Sequence, residues 1–160
     1  MARFFRKRNI TLRFIEYMDV GNSNKWIPED VYPSKEIISI IHSESPLEPL
    51  QPNYKGEVAS RYRYVGTKTE IGIISSITSP FCGNCHRARL SADGKLFTCL
   101  FAQQGTDFCS VLRKGDSDEK LFSLLSRVWN LRNDRYSEIR SEITKKEEQE
   151  QKIEMSYIGG

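Results

Sequence analysis

Three cysteines constrain this chain more than any other feature. Cys82 and Cys85 are separated only by Gly83 and Asn84, and Cys99 follows beyond the dipeptide Asp93-Gly94. Two intervening residues let both sulfurs of the first pair reach one metal atom or one cluster, and Gly83 is expected to let the backbone bend there. Asp-Gly is a hairpin signal, so Arg87–Ser91 and Lys95–Leu100 are expected to pair and to fold Cys99 back towards the first two thiols. The spacing predicts three thiolates that meet with a fourth position left open. In a metal site an open position marks chemistry or substrate binding rather than structure alone.

Four kinds of site fit such a pattern. A structural zinc site needs a fourth ligand, for which His86 and Cys109 are the candidates. His86 adjoins Cys85, which makes joint coordination awkward, and Cys109 lies beyond Gln103-Gln104-Gly105 and reads as a spectator thiol. Cys82-x-x-Cys85-His86 also matches a c-type haem attachment pattern, but that chemistry requires export. A redox dithiol has no use for Cys99. An iron–sulfur cluster uses all three cysteines.

Arg87 and Arg89 follow the second cysteine directly. On a strand, residues two apart share a face, so both guanidiniums are expected to project together. Their planar forks suit phosphate oxygens. A lone arginine here would be read as solvated or as compensating thiolate charge; a same-face pair beside an open metal position favours an anionic ligand. The net charge of +3 is too small to argue for nucleic acid, and it suits a small anion held by a few converging arginines.

The rest of the chain reads as mixed α/β. Met1–Arg8 carries four basic residues and is expected as the last turns of an amphipathic helix, with Phe4 and Phe5 inward. Thr11–Met18 then reads as a strand with Leu12, Phe14 and Glu16 on one face. A helix end running into a strand suggests an α/β unit entered partway. A helix capped by Ser34 should carry Ile37, Ile38, Ile40 and Ile41. Ser43–Gly56, with three prolines, reads as a connector. Ser60–Val65 and Glu70–Ser75 read as a hairpin about Gly66-Thr67-Lys68-Thr69. Asp118–Leu131 should form a helix with Leu121, Leu124, Leu125, Val128 and Trp129 on one face. Glu142–Lys152 is polar with alternating charge, and the end, MSYIGG, turns apolar again. Charged residues make up 28% and hydrophobic ones 38%, as in soluble globular chains. Neither a signal peptide nor a membrane span is recognisable, so the expected compartment is the cytoplasm, where thiols stay reduced.

The segments FCGNCHRARLSADGKLFTCLF, LRFIEYMDVGN and MSYIGG resemble the C-terminal half of the GTP 3′,8-cyclases of molybdenum cofactor biosynthesis, a family of radical S-adenosylmethionine enzymes. The resemblance implies an incomplete (β/α) barrel, of which residues 1–45 are the remnant. It implies that residues 46–160 form an antiparallel-hairpin and helical C-terminal region with an auxiliary cluster, a GTP site and a Gly-Gly tail. In the family one 4Fe–4S cluster, on a C-x-x-x-C-x-x-C motif, cleaves S-adenosylmethionine, and the radical so formed converts GTP to (8S)-3′,8-cyclo-7,8-dihydroguanosine 5′-triphosphate. A second 4Fe–4S cluster has three cysteine ligands and an open iron that contacts the guanine. Carried over by motif, those ligands are Cys82, Cys85 and Cys99. Arg87, Ala88, Arg89 and Arg13 match GTP-contacting positions, Gly159 and Gly160 match the tail that enters the active site, and Met18 matches a contact to S-adenosylmethionine.

Two departures accompany the resemblance. His86 stands where the family often has a small polar residue. No C-x-x-x-C-x-x-C motif occurs among the four cysteines, so the chain is expected to bind cluster and GTP without catalysing the reaction by itself. Its expected partners are GTP and either a separate N-terminal half or a second protomer, with no nucleic acid and no membrane. A non-catalytic zinc-binding or interaction module, and the remnant of a split gene, are the alternatives.

Overall fold

The computed structural model describes residues 1–140 and 152–158. Within these, the chain is a mixed α/β protein that divides into two compact units. The first unit comprises Met1–Met18 and Trp26–Cys85; the second comprises Asp19–Lys25 and His86–Gly160.

The first unit is built on a four-stranded sheet of order β1-β4-β3-β2, from β1 (Leu12–Ile15), β2 (Leu47–Pro49), β3 (Ser60–Tyr64) and β4 (Glu70–Ile74). The β3–β4 hairpin expected about Gly66 forms, with Tyr62 opposite Ile71 and Gly66 at φ +74°. β1 runs parallel to β4, pairing Leu12 with Ile71 and Phe14 with Ile73. These residues therefore share one face. Helix α2 (Ser34–Glu44) contributes to the core of that face, where Ile41, Leu47, Tyr64, Ile71 and Ile73 are buried with Phe14, Ile37 and Ile38 packed against them. Burying an isoleucine as completely as Ile71 and Ile73 stabilises the unit by roughly 1.5–3 kcal/mol each.

Several local expectations need correction. Phe4, on α1 (Ala2–Arg6), is 52% exposed, with the Arg8 guanidinium 3.5 Å from its ring centre. A five-residue helix has one inward stripe, on which Ala2 packs against the core and Phe5 is half-buried. Ser34 does not cap α2; it is the first helical residue, the preceding Pro33 makes no side-chain cap, and the amide of Ser34 donates to Glu16 instead. Ile40 points outward. The proline-rich connector contains β2, which pairs antiparallel with β3. Its Pro49 is tolerated because β2 is an edge strand with no outer partner needing its amide.

The second unit carries a three-stranded antiparallel sheet of order β5-β6-β7: β5 (Arg89–Leu90), β6 (Lys95–Phe97) and β7 (Thr106–Asp107). Helices α3 (Cys109–Arg113), α4 (Asp118–Asn130) and α5 (Tyr136–Ile139) follow. On α4, Leu121, Leu124, Val128 and Trp129 are half-buried as expected, whereas Leu125, on the same stripe, is 40% exposed. Most of the polar segment Glu142–Lys152, with Gly159 and Gly160, lies outside the described residues. The last described residues fold onto this unit: Ile158 is fully buried and the Tyr157 ring meets Phe97 edge-on at 6.1 Å.

Candidate metal and nucleotide site

Cys82 and Cys85 bracket a single 3₁₀ turn in the first unit, Cys82–Asn84, closed by the Cys85 amide donating to the Cys82 carbonyl at 3.1 Å. Both side chains are half-buried. Gly83 lies within this right-handed turn and is not among the glycines with positive φ. Its contribution is an exposed position without a side chain rather than a special backbone angle.

The approach to this turn is anchored by a residue the sequence reading left without a role. Glu16 follows β1 on the same face as Leu12 and Phe14 and is 2% exposed. Its Oε1 accepts the Ser34 amide at 2.8 Å and the Thr78 hydroxyl at 2.6 Å. Its Oε2 accepts the amides of Ile77 and Thr78, both at 2.8 Å. Burial is the largest single influence on its pKa and acts to raise it. The hydrogen bonds from Thr78 and Ser34 together outweigh burial and hold the carboxyl at about 2. A carboxylate in an otherwise apolar alternation was the available signal, because a buried anion must find donors.

Arg13, also on β1, lies opposite Gly72. A side chain on Gly72 would meet the Arg13 Cγ at 3.0 Å, so the glycine leaves room for the arginine stem. Arg13 is exposed, and Met18, three residues beyond β1, is half-buried.

In the second unit the Asp93-Gly94 hairpin forms with Arg89 opposite Phe97 and Gly94 at φ +81°. Its paired length is shorter than the sequence suggested, covering Arg89–Leu90 and Lys95–Phe97. Arg87 precedes β5, so the same-face argument for Arg87 and Arg89 loses the strand it rested on. Arg87 and Cys99 each lie two residues beyond the last paired positions, at the open end of the hairpin. Arg87 and Ala88 are exposed and Arg89 is half-buried. At the other end, Asp93 is held at about 2 by the Ser91 hydroxyl, the Tyr157 hydroxyl and the Lys95 ammonium. The Tyr157 hydroxyl donates to it at 2.7 Å, which fixes the chain shortly before Gly159 and Gly160.

Cys99 has a defined setting. Its Sγ accepts the Phe101 amide at 3.5 Å, and the Phe101 ring stacks on Tyr136 at 4.3 Å. The Tyr136 hydroxyl donates to Asp19 at 2.7 Å. Asp19, 3% exposed, also pairs with Arg140 at 2.9 Å and Lys152 at 3.1 Å. Burial pushes its carboxyl up, and Tyr136, Arg140 and Lys152 together hold it below the usual range. Cys109 starts α3 against the hairpin turn, its amide donating to the Gly94 carbonyl at 3.2 Å.

The molybdenum cofactor synthesis C family matches residues 10–138, most of the chain. The chain belongs to this family. Along its whole length it is 47% identical to a GTP 3′,8-cyclase of Acidothermus cellulolyticus, covering 50% of that protein. It is 44% identical to the GTP 3′,8-cyclase of Staphylococcus haemolyticus and 45% identical to that of Xanthomonas campestris pv. campestris, covering 47% and 46% of them. This member of the molybdenum cofactor synthesis C family thus spans about half the length of the curated relatives it matches, and it corresponds to their C-terminal portion.

The family's donor set is tested by chemistry. All four cysteines are half-buried thiols, two share one turn, and a third accepts an amide hydrogen bond, the kind of contact that tunes cluster sulfurs. Thiols are the donor type that iron–sulfur clusters use. Among the described residues, no three or more His, Cys, Asp or Glu side chains form a group that could hold a metal ion. No helix among the described residues is long and apolar enough to cross a membrane.

Proposed function

We propose that this chain provides the auxiliary-cluster and GTP-binding part of a GTP 3′,8-cyclase. The observation that carries the reading is the 44–47% identity to such enzymes over the whole chain, together with Cys82 and Cys85 on one closed turn. On this reading Cys82, Cys85 and Cys99 hold a 4Fe–4S cluster. When bound, that cluster supplies an iron without a cysteine ligand, open to a donor atom of the substrate. Arg87 and Arg89 offer guanidinium forks to phosphate oxygens, with Ala88 between them lending a small contact. Arg13 adds a cation from β1, and Gly159 and Gly160 form a tail slender enough to enter a narrow cavity. Met18 contacts S-adenosylmethionine.

Residues 1–45 are read as part of an incomplete (β/α) barrel, and residues 46–160 as the region that closes it. Cleavage of S-adenosylmethionine, and with it the cyclisation, is assigned to a C-x-x-x-C-x-x-C motif outside this sequence. It would be brought by a further N-terminal segment, a separate chain or a second protomer, in a reduced compartment such as the cytoplasm.

Anaerobic reconstitution tests this directly. A three-cysteine 4Fe–4S site should take up about four irons and four sulfides per chain, and Cys99→Ala should abolish it. Stoichiometric zinc with no iron uptake would overturn the reading in favour of a non-catalytic zinc module.

A further inference from the structure

Glu16 belongs to none of the ligand sets proposed above, yet it joins three segments of the first unit. Its own amide continues the β1–β4 ladder, donating to the Ile74 carbonyl at 3.1 Å. Its carboxylate gathers the first amide of α2 and both amides of Ile77 and Thr78. From Thr78 the chain reaches Cys82 in four steps, which span at most about 14 Å even when extended. That tether is stiff. The Ser79 amide donates back to Ser75 at 3.2 Å, and Pro80 fixes its own φ and restricts Ser79. The Phe81 carbonyl then accepts the Asn84 amide and starts the cysteine turn. Along the chain Met18 lies two residues after Glu16 and Arg13 three before it.

We infer that Glu16 is the positioning residue of the Cys82-x-x-Cys85 turn, holding it in register with the end of β1 through Ile77 and Thr78. The carboxylate touches neither thiol. It acts by occupying every lone-pair direction with a donor from a segment that would otherwise move independently. A glutamine cannot reproduce this, because one end of its amide would turn N–H groups towards N–H or O–H donors. The inference deepens the reading of this turn as a cluster-binding site and rests on it for its purpose, but the geometry it asserts can be tested without iron.

The test is the alkylation rate of each cysteine in the reduced, iron-free 160-residue chain, followed by mass spectrometry. In Glu16→Gln, Cys82 and Cys85 should react about tenfold faster, as when local opening of a segment becomes easier, while Cys109 stays within about twofold of the parent. Unchanged rates at Cys82 and Cys85 would overturn the inference. So would an equal acceleration at Cys109, which would make Glu16 a support of the whole fold. Should Glu16→Gln fail to fold, Thr78→Val removes the hydroxyl donor and keeps the amide. It should accelerate Cys82 and Cys85 alone, and Thr78→Ser should restore the parent rate; acceleration in both variants, or in neither, contradicts the assignment. Iron uptake by the parent chain reports separately on the cluster reading, so either idea can fail without the other.

Discussion

Gly94 and Cys109 are in contact through atoms that leave no space for a side chain on the glycine. A Cβ built on Gly94 would lie 2.6 Å from the Cys109 Cβ, and φ at Gly94 is +81°. The Gly94 carbonyl also accepts the amides of Phe108 and Cys109. The hairpin turn and the start of α3 are thus one packed joint. Gly94→Ala incurs about 1–2 kcal/mol for the left-handed backbone alone, and the clash adds to it. Cys109→Ala should not relieve that clash, because the offending atom is the Cβ, whereas Cys109→Gly should recover part of the loss. Urea denaturation of the single and double variants distinguishes the two. Cys109→Ser should leave iron uptake unchanged, since the proposed ligands are Cys82, Cys85 and Cys99.

Asp19 is held by charge on all sides. Removing it takes away the carboxylate that Arg140 and Lys152 both pair with, Arg140 being 13% exposed in its side chain. Asp19→Ala should therefore destabilise the chain by about 3–5 kcal/mol. Tyr136→Phe removes one hydrogen bond to a charged group and keeps the stack on Phe101, so about 1.5–3 kcal/mol is expected. Because both variants break the same contact, their effects should be less than additive in the double variant, measured by chemical denaturation at pH 7.

Much of this was legible in the sequence where local chemistry dictates structure. The β3–β4 hairpin, the Asp93-Gly94 turn and α4 follow from turn residues and periodicity, and they form. Failures arose where a distant partner overrides local signals. Ser34 has the side chain of a helix cap, but Glu16 reaches its amide from β1 and displaces that role. Arg87 and Arg89 have strand spacing, but the ladder stops at Arg89. β2 was hidden by its prolines because edge pairing leaves one side of a strand free of hydrogen-bond demands. The cysteine pattern was fully legible as a motif, since two residues between Cys82 and Cys85 leave room for one turn only. The network from Asp19 through Tyr136 and Phe101 to Cys99 was not, because its members are separated by more than a hundred residues at its widest span.

Arg89 and Arg87 should differ in their response to substitution. Arg89 is half-buried on β5 and Arg87 exposed before it, so Arg89 is the better ordered donor. At the proposed GTP site, Arg89→Lys should weaken GTP binding about tenfold through loss of the bidentate fork. Arg87→Lys should weaken it less and become nearly silent at high salt, where exposed charges are screened. Isothermal titration with GTP at two salt concentrations checks both, and equal tolerance of lysine at the two positions would contradict the order given.

Glu16 also sets an expected dependence of stability on pH. Its folded value of about 2 lies below its ordinary value of 4.5. A depressed carboxyl stabilises the fold fully above its unfolded value, and this is lost as pH falls through the folded one. For a group this buried the contribution at neutral pH is roughly 3 kcal/mol, of which about 2 kcal/mol should be gone by pH 3. Other carboxyls, Asp19 and Asp93 among them, are also held below their ordinary values, so the parent curve alone does not isolate Glu16. The difference between the parent and Glu16→Gln does, because the remaining carboxyls are common to both. Urea midpoints at pH 7 and pH 3 should bring the two proteins closer together in acid by about 2 kcal/mol. A constant gap would mean that the Glu16 carboxyl is not held by charge-dependent hydrogen bonds. A gap that widens in acid would reverse the sign argued from Ser34, Ile77 and Thr78.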